Sequence, residues 1–329
     1  MLTVFDKFEF CVTPLAALLV DIIVGDPAWL PHPVRFFGRA ISFFERLVRR
    51  LGKSRVILTA GGIIIAVTLP ATTFLAAGKA LEAMHRLSRE VEFLCEVYLV
   101  STTIALKGLA TAARAVRQPL VEGNLSLARE RVGEIVGRET ADLDAEGVTR
   151  AAVESVAENT VDAVVAPLFF AFIGGAPLAL AYRAVNTLDS MVGYRYGDYR
   201  DLGWASARLD DLFNFLPARL AGLLFVLAAF LTRGDWRRVW RVMRRDGRKH
   251  PSPNSGIPEA AMAGHLGVEL GGPSRYRGVV SLRPRIGDAV MRLEPEHITG
   301  AVRMLYAVSV IAALSGAVTR LLIYRWAGG

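Results

Sequence analysis

The sequence predicts an all-α fold: a polytopic helical membrane protein of about five or six membrane segments, one of them broken or re-entrant, with helical cytoplasmic loops. Three observations carry this expectation. Of 329 residues, 53% are hydrophobic, and mean hydropathy is +0.36, too apolar for an ordinary soluble domain. Residues 56–78 run without one charge, a length that crosses a hydrocarbon core of about 30 Å. Five further apolar runs, 8–24, 93–106, 163–182, 216–232 and 304–319, punctuate the rest, with Asp21 and Arg219 among their internal charges.

Six crossings would put loops 25–55, 107–160 and 233–300 on one side with 27 Lys and Arg, against 10 on the other. The excess marks the first side as cytoplasmic, which predicts a multi-pass protein of the cytoplasmic membrane with its active site facing the cytoplasm. The whole chain, 1–329, reads as a single integral membrane domain, with loops 107–160 and 233–300 contributing to the site. Segment 163–182 carries Pro167, Gly174, Gly175 and Pro177, which suit a helix broken to line a cavity. Residues 107–150 read as Ala-rich amphipathic helices. The stretch from Arg237 to Lys249, with Trp236 and Trp240 as anchors, reads as a basic helix at an anionic membrane surface rather than a nucleic-acid interface. The start lacks a basic leader and is expected to be retained. Cys11 and Cys95 lie in apolar runs, with no spacing for a disulfide framework or a zinc site.

Polar residues crowd the middle of the chain. Glu154, Glu158 and Asp162 recur every four residues, which stacks them along one helix face. Their mutual repulsion calls for a cation, either Arg or Lys from elsewhere or Mg²⁺, which takes carboxylate oxygens and substrate phosphates. Asn186, Thr187, Asp189 and Ser190 form a second cluster, and Arg208, Asp210, Asp211 and Asn214 a third. Asp21, Asp26, His32 and Arg35 gather where turn formers end the first apolar run. The turn from His250 through Ser252, Asn254 and Ser255 is rich in hydroxyls and backbone N–H groups that suit an anion. Arg275 and Arg277, after Gly271-Gly272-Pro273, read as a second turn with cationic reach. Walker A, Rossmann, nucleophile-elbow and H-E-x-x-H patterns are absent, so the inventory favours phosphate and Mg²⁺ chemistry over nucleophilic or redox catalysis.

The runs GDPAWLPHPVRFFGRAI, ESVAENTVDAVVAPLF, YRAVNTLDSMVGYR, ARLDDLFNFLPARL and HPSPNSGIPEAAMAGHLGVELGGPSRYRG resemble the adenosylcobinamide-phosphate synthases of cobalamin biosynthesis, in family order across most of the chain. The resemblance implies a membrane carbon–nitrogen ligase. It would join the carboxyl of adenosylcobyric acid to the amine of (R)-1-amino-2-propanol O-phosphate with ATP and Mg²⁺, the corrinoid being substrate and not cofactor. Partners would be these small molecules, the lipid bilayer and other corrinoid-pathway proteins. On this reading Glu154, Glu158, Asp162 and Asp189 are catalytic, with Glu158, Asp162 and Asp189 as metal ligands. Asn159, Asn186 and Asn214 orient substrates, with Asp26, His32, Arg208 and Asp210 also at the site, and Arg208–Asp210 equally suited to a structural ion pair. His250, Ser252, Asn254, Ser255, Arg275 and Arg35 hold phosphate. Two other classes stay open on the residues alone. One is a Mg²⁺-dependent membrane prenyl- or phospho-transferase, for which Asn186-x-x-Asp189 and Asp210-Asp211 speak. The other is a transporter built on the broken helix.

Overall fold

The computed structural model describes residues 4–27, 29–193, 199–276 and 278–327, and Arg277 lies outside the described residues. In chain order the elements are α1 (Val4–Ile23), α2 (Pro33–Leu51), α3 (Arg55–His85), α4 (Arg89–Ser101), α5 (Leu106–Val121), α6 (Leu125–Gly133) and α7 (Ala145–Thr160). A π-turn (Val161–Val165) leads into α8 (Ala166–Val192), α9 (Trp204–Phe213), α10 (Phe215–Leu231), α11 (Trp236–Asp246) and α12 (Gly256–Leu266). The strands β1 (Glu269–Tyr276) and β2 (Val279–Gly287) precede α13 (Glu296–Ala327).

Among the described residues four helical stretches are long and apolar enough to cross a membrane: Arg55–His85, Arg89–Val121, Ala145–Val192 and Glu296–Trp326. A fifth is added if α9 and α10 form one broken span. The first apolar run lies in α1, whose Cys11–Ile23 part is a further, shorter apolar helix. Cys11 and Cys95 are not joined by a disulfide.

The chain divides into two compact units. One comprises 1–105, 166–214 and 313–329, the other 106–165 and 215–312. In the first, the core is Phe37, Ile41 and Val48 of α2, Leu58, Ile65 and Leu69 of α3, and Leu180, Ala184 and Leu188 of α8. The fit is close: a methyl group on Gly62 of α3 would lie 2.0 Å from the carbonyl oxygen of Leu202.

The expected break in 163–182 falls at Gly174 (φ −140°, ψ 25°) and Gly175 (φ 63°, ψ −160°), inside α8. The Gly175 conformation suits only a residue without Cβ. Pro177 then sits in the first turn of the second half, where its missing N–H costs nothing. An interrupted helix exposes backbone donors that an apolar environment cannot solvate. Glu96 of α4 meets this need: its Oε1 accepts the Ala176 N–H at 3.3 Å and its Oε2 accepts the Thr13 hydroxyl at 3.4 Å. A carboxylate at the start of the half-helix also opposes its dipole.

The second unit departs from all-α in one place. Strands β1 and β2 pair antiparallel, from Leu270 opposite Ile286 to Tyr276 opposite Val279, with a register shift between Leu270 and Gly272. The segment read as a cationic turn is therefore a bulged strand. Gly271 and Gly272 both take positive φ (83° and 85°), and a Cβ on Gly271 would lie 2.2 Å from the Pro284 carbonyl oxygen. Here the glycines mark a bulge, a role glycine takes inside strands.

The Glu96 cap is testable. Glu96→Ala should lower the stability of the purified protein by about 0.5–2 kcal/mol, the usual worth of an N-terminal cap, while Glu96→Gln, which keeps a carbonyl acceptor, should cost less. Thermal unfolding in detergent reads both, and equal melting of Glu96→Ala and the parent would rule the cap out.

Candidate functional site

The second unit holds a close group of ionisable side chains, Glu158, His250 and Glu259. Helix α7 presents Glu154 and Glu158 one turn apart, and α12 brings Glu259 from its first turn. His250 arrives on the turn between α11 and α12. Its Nε2 lies 3.7 Å from Glu259 Oε1 and 4.0 Å from Glu158 Oε1. Donor atoms of Glu158, His250 and Glu259 all lie within 4.8 Å of one another. Arg283 of β2 adds a guanidinium 3.8 Å from Glu259.

The two α7 glutamates have different surroundings. Glu154 is 1% exposed, its Oε2 engaged by Arg138 and its Oε1 accepting the Gly271 N–H at 2.7 Å. Arg138 also donates to the Ser274 hydroxyl at 3.0 Å. Glu154 therefore ties α7 to β1, with a partner at each of its oxygens. The side chain of Glu158 is 31% exposed, while that of Glu259 is 1% exposed, and neither Glu259 oxygen receives a hydrogen bond. Burial, then the charges of Glu158 and Glu154, push the Glu259 carboxyl well above the ordinary carboxylate range against the pull of Arg283. Burial likewise holds the His250 imidazole below its usual value, opposed by the Glu158 charge.

The turn that carries His250 is satisfied from within. The Ser252 N–H donates to His250 Nδ1 at 3.0 Å, and the Ser252 hydroxyl accepts the N–H groups of Asn254 (3.2 Å) and Ser255 (3.3 Å). All three of these N–H groups are thus engaged within the turn. Asn254 is buried, and its Oδ1 accepts from Arg219 Nη1 at 2.8 Å while Arg219 Nη2 reaches the Pro253 carbonyl at 3.2 Å. The Arg219 guanidinium lies 3.5 Å from the centre of the Phe215 ring. This charge inside the apolar α10 thus braces the His250 turn.

The remaining sequence-derived candidates separate. Asp162 falls in the π-turn, which widens the helix and takes this half-buried residue out of the strict four-residue stack. Pro167 supplies a cause: it offers no N–H to Ala163 and its ring presses on that carbonyl. Asn159 donates back to the Ser155 carbonyl at 2.9 Å, and Arg275 pairs with Asp142 at the surface. Arg238 and Arg245, from the basic helix, have internal duties. Arg238 caps the C-terminus of α12 through the Gly264 and His265 carbonyls, and Arg245 pairs with the buried Asp246.

In the first unit, three candidates do meet. Asn214 Nδ2 donates to Asp210 Oδ2 at 3.0 Å, Asn186 Nδ2 lies 3.5 Å from Asp210 Oδ1, and the Tyr182 hydroxyl donates to Asn214 Oδ1 at 2.9 Å. Asp210 has amide partners, and Arg208 is exposed. Asp189 is half-buried at the C-terminal end of α8. His32 is the N-cap of α2, accepting the Val34 N–H at 3.3 Å and contacting Asp26 at 3.1 Å, with Arg35 exposed in the first turn.

Sequence reasoning missed Glu259, Arg283, Arg138 and Arg150, whose buried Nε has no acceptor. Glu259 was visible as the one charge in the otherwise apolar GIPEAAMAG run. The arginines of β2 alternate with apolar residues in SLRPRI, the period-two pattern of a strand.

The Arg138–Glu154 pair yields a stability prediction. Removing one partner of a buried ion pair strands the other charge and costs roughly 3–5 kcal/mol, so Arg138→Ala should strongly lower the melting temperature in detergent. Adding Glu154→Gln should restore part of the loss, because no ion is then left unpaired. Equal melting of the single and double variants would show that the charge of Glu154 is not what Arg138 balances.

Comparison with known proteins fits this arrangement. The family model described as "CobD/Cbib protein" matches residues 14–305. Cobalamin biosynthesis protein CobD of Klebsiella pneumoniae subsp. pneumoniae is 46% identical over 296 residues, 90% of this chain and 93% of that protein. Cobalamin biosynthesis protein CobD of Geobacter metallireducens is 47% identical over 92% of this chain and 95% of its own length, and cobalamin biosynthesis protein CbiB of Salmonella choleraesuis is 45% identical over 90% and 93%. No solved structure matches the chain. A membrane-type helical protein with a carboxylate- and arginine-lined group, matched along nine-tenths of its length by these relatives, belongs to the CobD/CbiB family of cobalamin biosynthesis proteins.

Proposed function

We propose that the chain is an ATP-dependent carbon–nitrogen ligase. It joins the carboxyl of adenosylcobyric acid to the amine of (R)-1-amino-2-propanol O-phosphate and forms adenosylcobinamide phosphate. The names of the relatives support the pathway, and one observation supports the chemistry: the Glu158–His250–Glu259 group with Arg283 beside it. A ligase of this kind handles two phosphorylated substrates and must activate an unreactive carboxylate. In the proposed reaction the corrinoid carboxylate takes the γ-phosphoryl group of ATP, giving an acyl phosphate and ADP. The amine nitrogen then attacks the acyl carbon, the C–O bond to phosphate breaks, and inorganic phosphate leaves as the nitrogen loses its proton.

Mg²⁺ fits the residues present. Glu158 and Glu259 offer oxygen donors, and both Glu259 oxygens lack a donor of their own, so these two side chains would hold the ion. When bound, it would neutralise phosphate charge during transfer. Arg283 and Arg150 supply fixed positive charge for phosphate oxygens. Asp162, four residues beyond Glu158, takes the amine proton. We also propose a multi-pass location in the cytoplasmic membrane with this chemistry on the cytoplasmic side, supported by the excess of Lys and Arg in loops 25–55, 107–160 and 233–300.

The test is reconstitution. Purified protein in nanodiscs, given adenosylcobyric acid, aminopropanol phosphate and ATP, should form adenosylcobinamide phosphate with one ADP and one phosphate per product, read by mass spectrometry. Glu158→Gln should cut turnover at least about a hundredfold, the scale of losing a major electrostatic contact, with folding intact. Product formed without ATP, or full turnover in the variant, would overturn the assignment.

A further inference from the structure

Glu158, His250 and Glu259 have the look of a mixed nitrogen–oxygen metal site, the kind that Zn²⁺ and related ions prefer. The surroundings of the imidazole say otherwise. A histidine that binds a metal through one ring nitrogen donates the N–H of the other to an acceptor. His250 Nδ1 does the reverse, accepting the Ser252 N–H at 3.0 Å. That bond uses the Nδ1 lone pair, so the single proton of the neutral ring sits on Nε2. Nε2 is the nitrogen that faces the glutamates, and with its proton in place it has no lone pair for a metal.

The carboxylates nevertheless need a cation. Glu259 is 1% exposed, with both oxygens lacking a hydrogen-bond donor, and Glu158 brings a second negative charge to the group. Arg283, at 3.8 Å, balances one of the two. Buried charge without a partner is costly, and a divalent ion on the two carboxylates removes that cost. Two oxygens, completed by waters or substrate phosphate, are what Mg²⁺ takes, whereas Zn²⁺ in a structural or catalytic site wants three or four protein ligands.

Resting on the reading of Glu158 and Glu259 as the Mg²⁺ ligands, we infer that this is an oxygen-only site for a hard divalent cation. In it His250, fixed by the Ser252 N–H, turns its Nε2–H toward the carboxylates at 3.7 and 4.0 Å and is not a ligand. His250 is then a positioning residue that also sets metal selectivity, because its tautomer denies Zn²⁺ the nitrogen it would use.

Mn²⁺ is the probe, added to the full chain in nanodiscs without nucleotide or corrinoid, so the outcome is separate from whether the chain is a ligase. Electron paramagnetic resonance should show one bound Mn²⁺ per chain, displaced by Mg²⁺, with no directly coordinated ¹⁴N in pulsed spectra. Glu158→Gln and Glu259→Gln should each weaken Mn²⁺ binding at least about tenfold, and His250→Gln by no more than about threefold, since it removes a supporting contact and not a ligand. The pulsed spectrum and a Zn²⁺ competition are read on the parent protein, so the inference stays testable if a variant misfolds. A ¹⁴N coupling typical of coordinated imidazole, displacement of Mn²⁺ by stoichiometric Zn²⁺, loss of binding in His250→Gln equal to that in Glu259→Gln, or no Mn²⁺ bound at millimolar concentration would each overturn it.

Discussion

Burying a carboxylate dictates the order of the second unit. Glu154 cannot be ionised in an apolar interior unless something meets both its oxygens, and the chain meets them from two directions. Arg138 comes from the loop before α7, and the Gly271 N–H from a bulge in β1. The bulge exists because two glycines adopt positive φ there. Once this knot is tied, α7 and the hairpin are fixed against each other. Glu158 follows one turn on, and Arg283 is carried in on the paired strand. Glu154 thus sets the frame in which the neighbouring carboxylates are held.

The same rule of satisfied polarity governs the first unit at another scale. Breaking α8 at Gly174–Gly175 leaves backbone donors that lipid or packed side chains cannot meet, and Glu96 meets them from α4. Asn186, Asp210, Asn214 and Tyr182 answer one another in a closed set of hydrogen bonds. Against these sets stands Glu259, whose two buried oxygens have no hydrogen-bond donor.

Much of this was legible in the sequence. The apolar runs named the long helices, and Gly174, Gly175 and Pro177 named the break. The GDPAWLPHP through GGPSRYRG runs gave the family, and Glu158 and His250 were picked out by type and spacing. What stayed hidden depended on geometry that spacing does not carry. Four-residue periodicity put Asp162 on the face of Glu154 and Glu158, but a π-turn intervenes. Gly271-Gly272-Pro273 read as a turn because glycine and proline end most regular structure, yet here they shape a strand. Ser252, Asn254 and Ser255 looked like an anion cradle, while their hydrogen bonds close on the turn itself. Glu259 resembled an ordinary first-turn acid, and only packing showed that it points inward.

Arg219 has a mechanical consequence. Helix α10 exposes Leu223, Leu227 and Phe230 on its outer side, an apolar surface suited to lipid, and Arg219 on the same helix grips Pro253 and Asn254. Those residues end the turn that begins at His250. A tilt or slide of α10, as it adapts to a thicker or thinner bilayer, therefore pulls directly on the segment that sets the imidazole against the glutamates. Protein reconstituted in short-chain and long-chain lipids is then the same molecule with its His250 turn under different load.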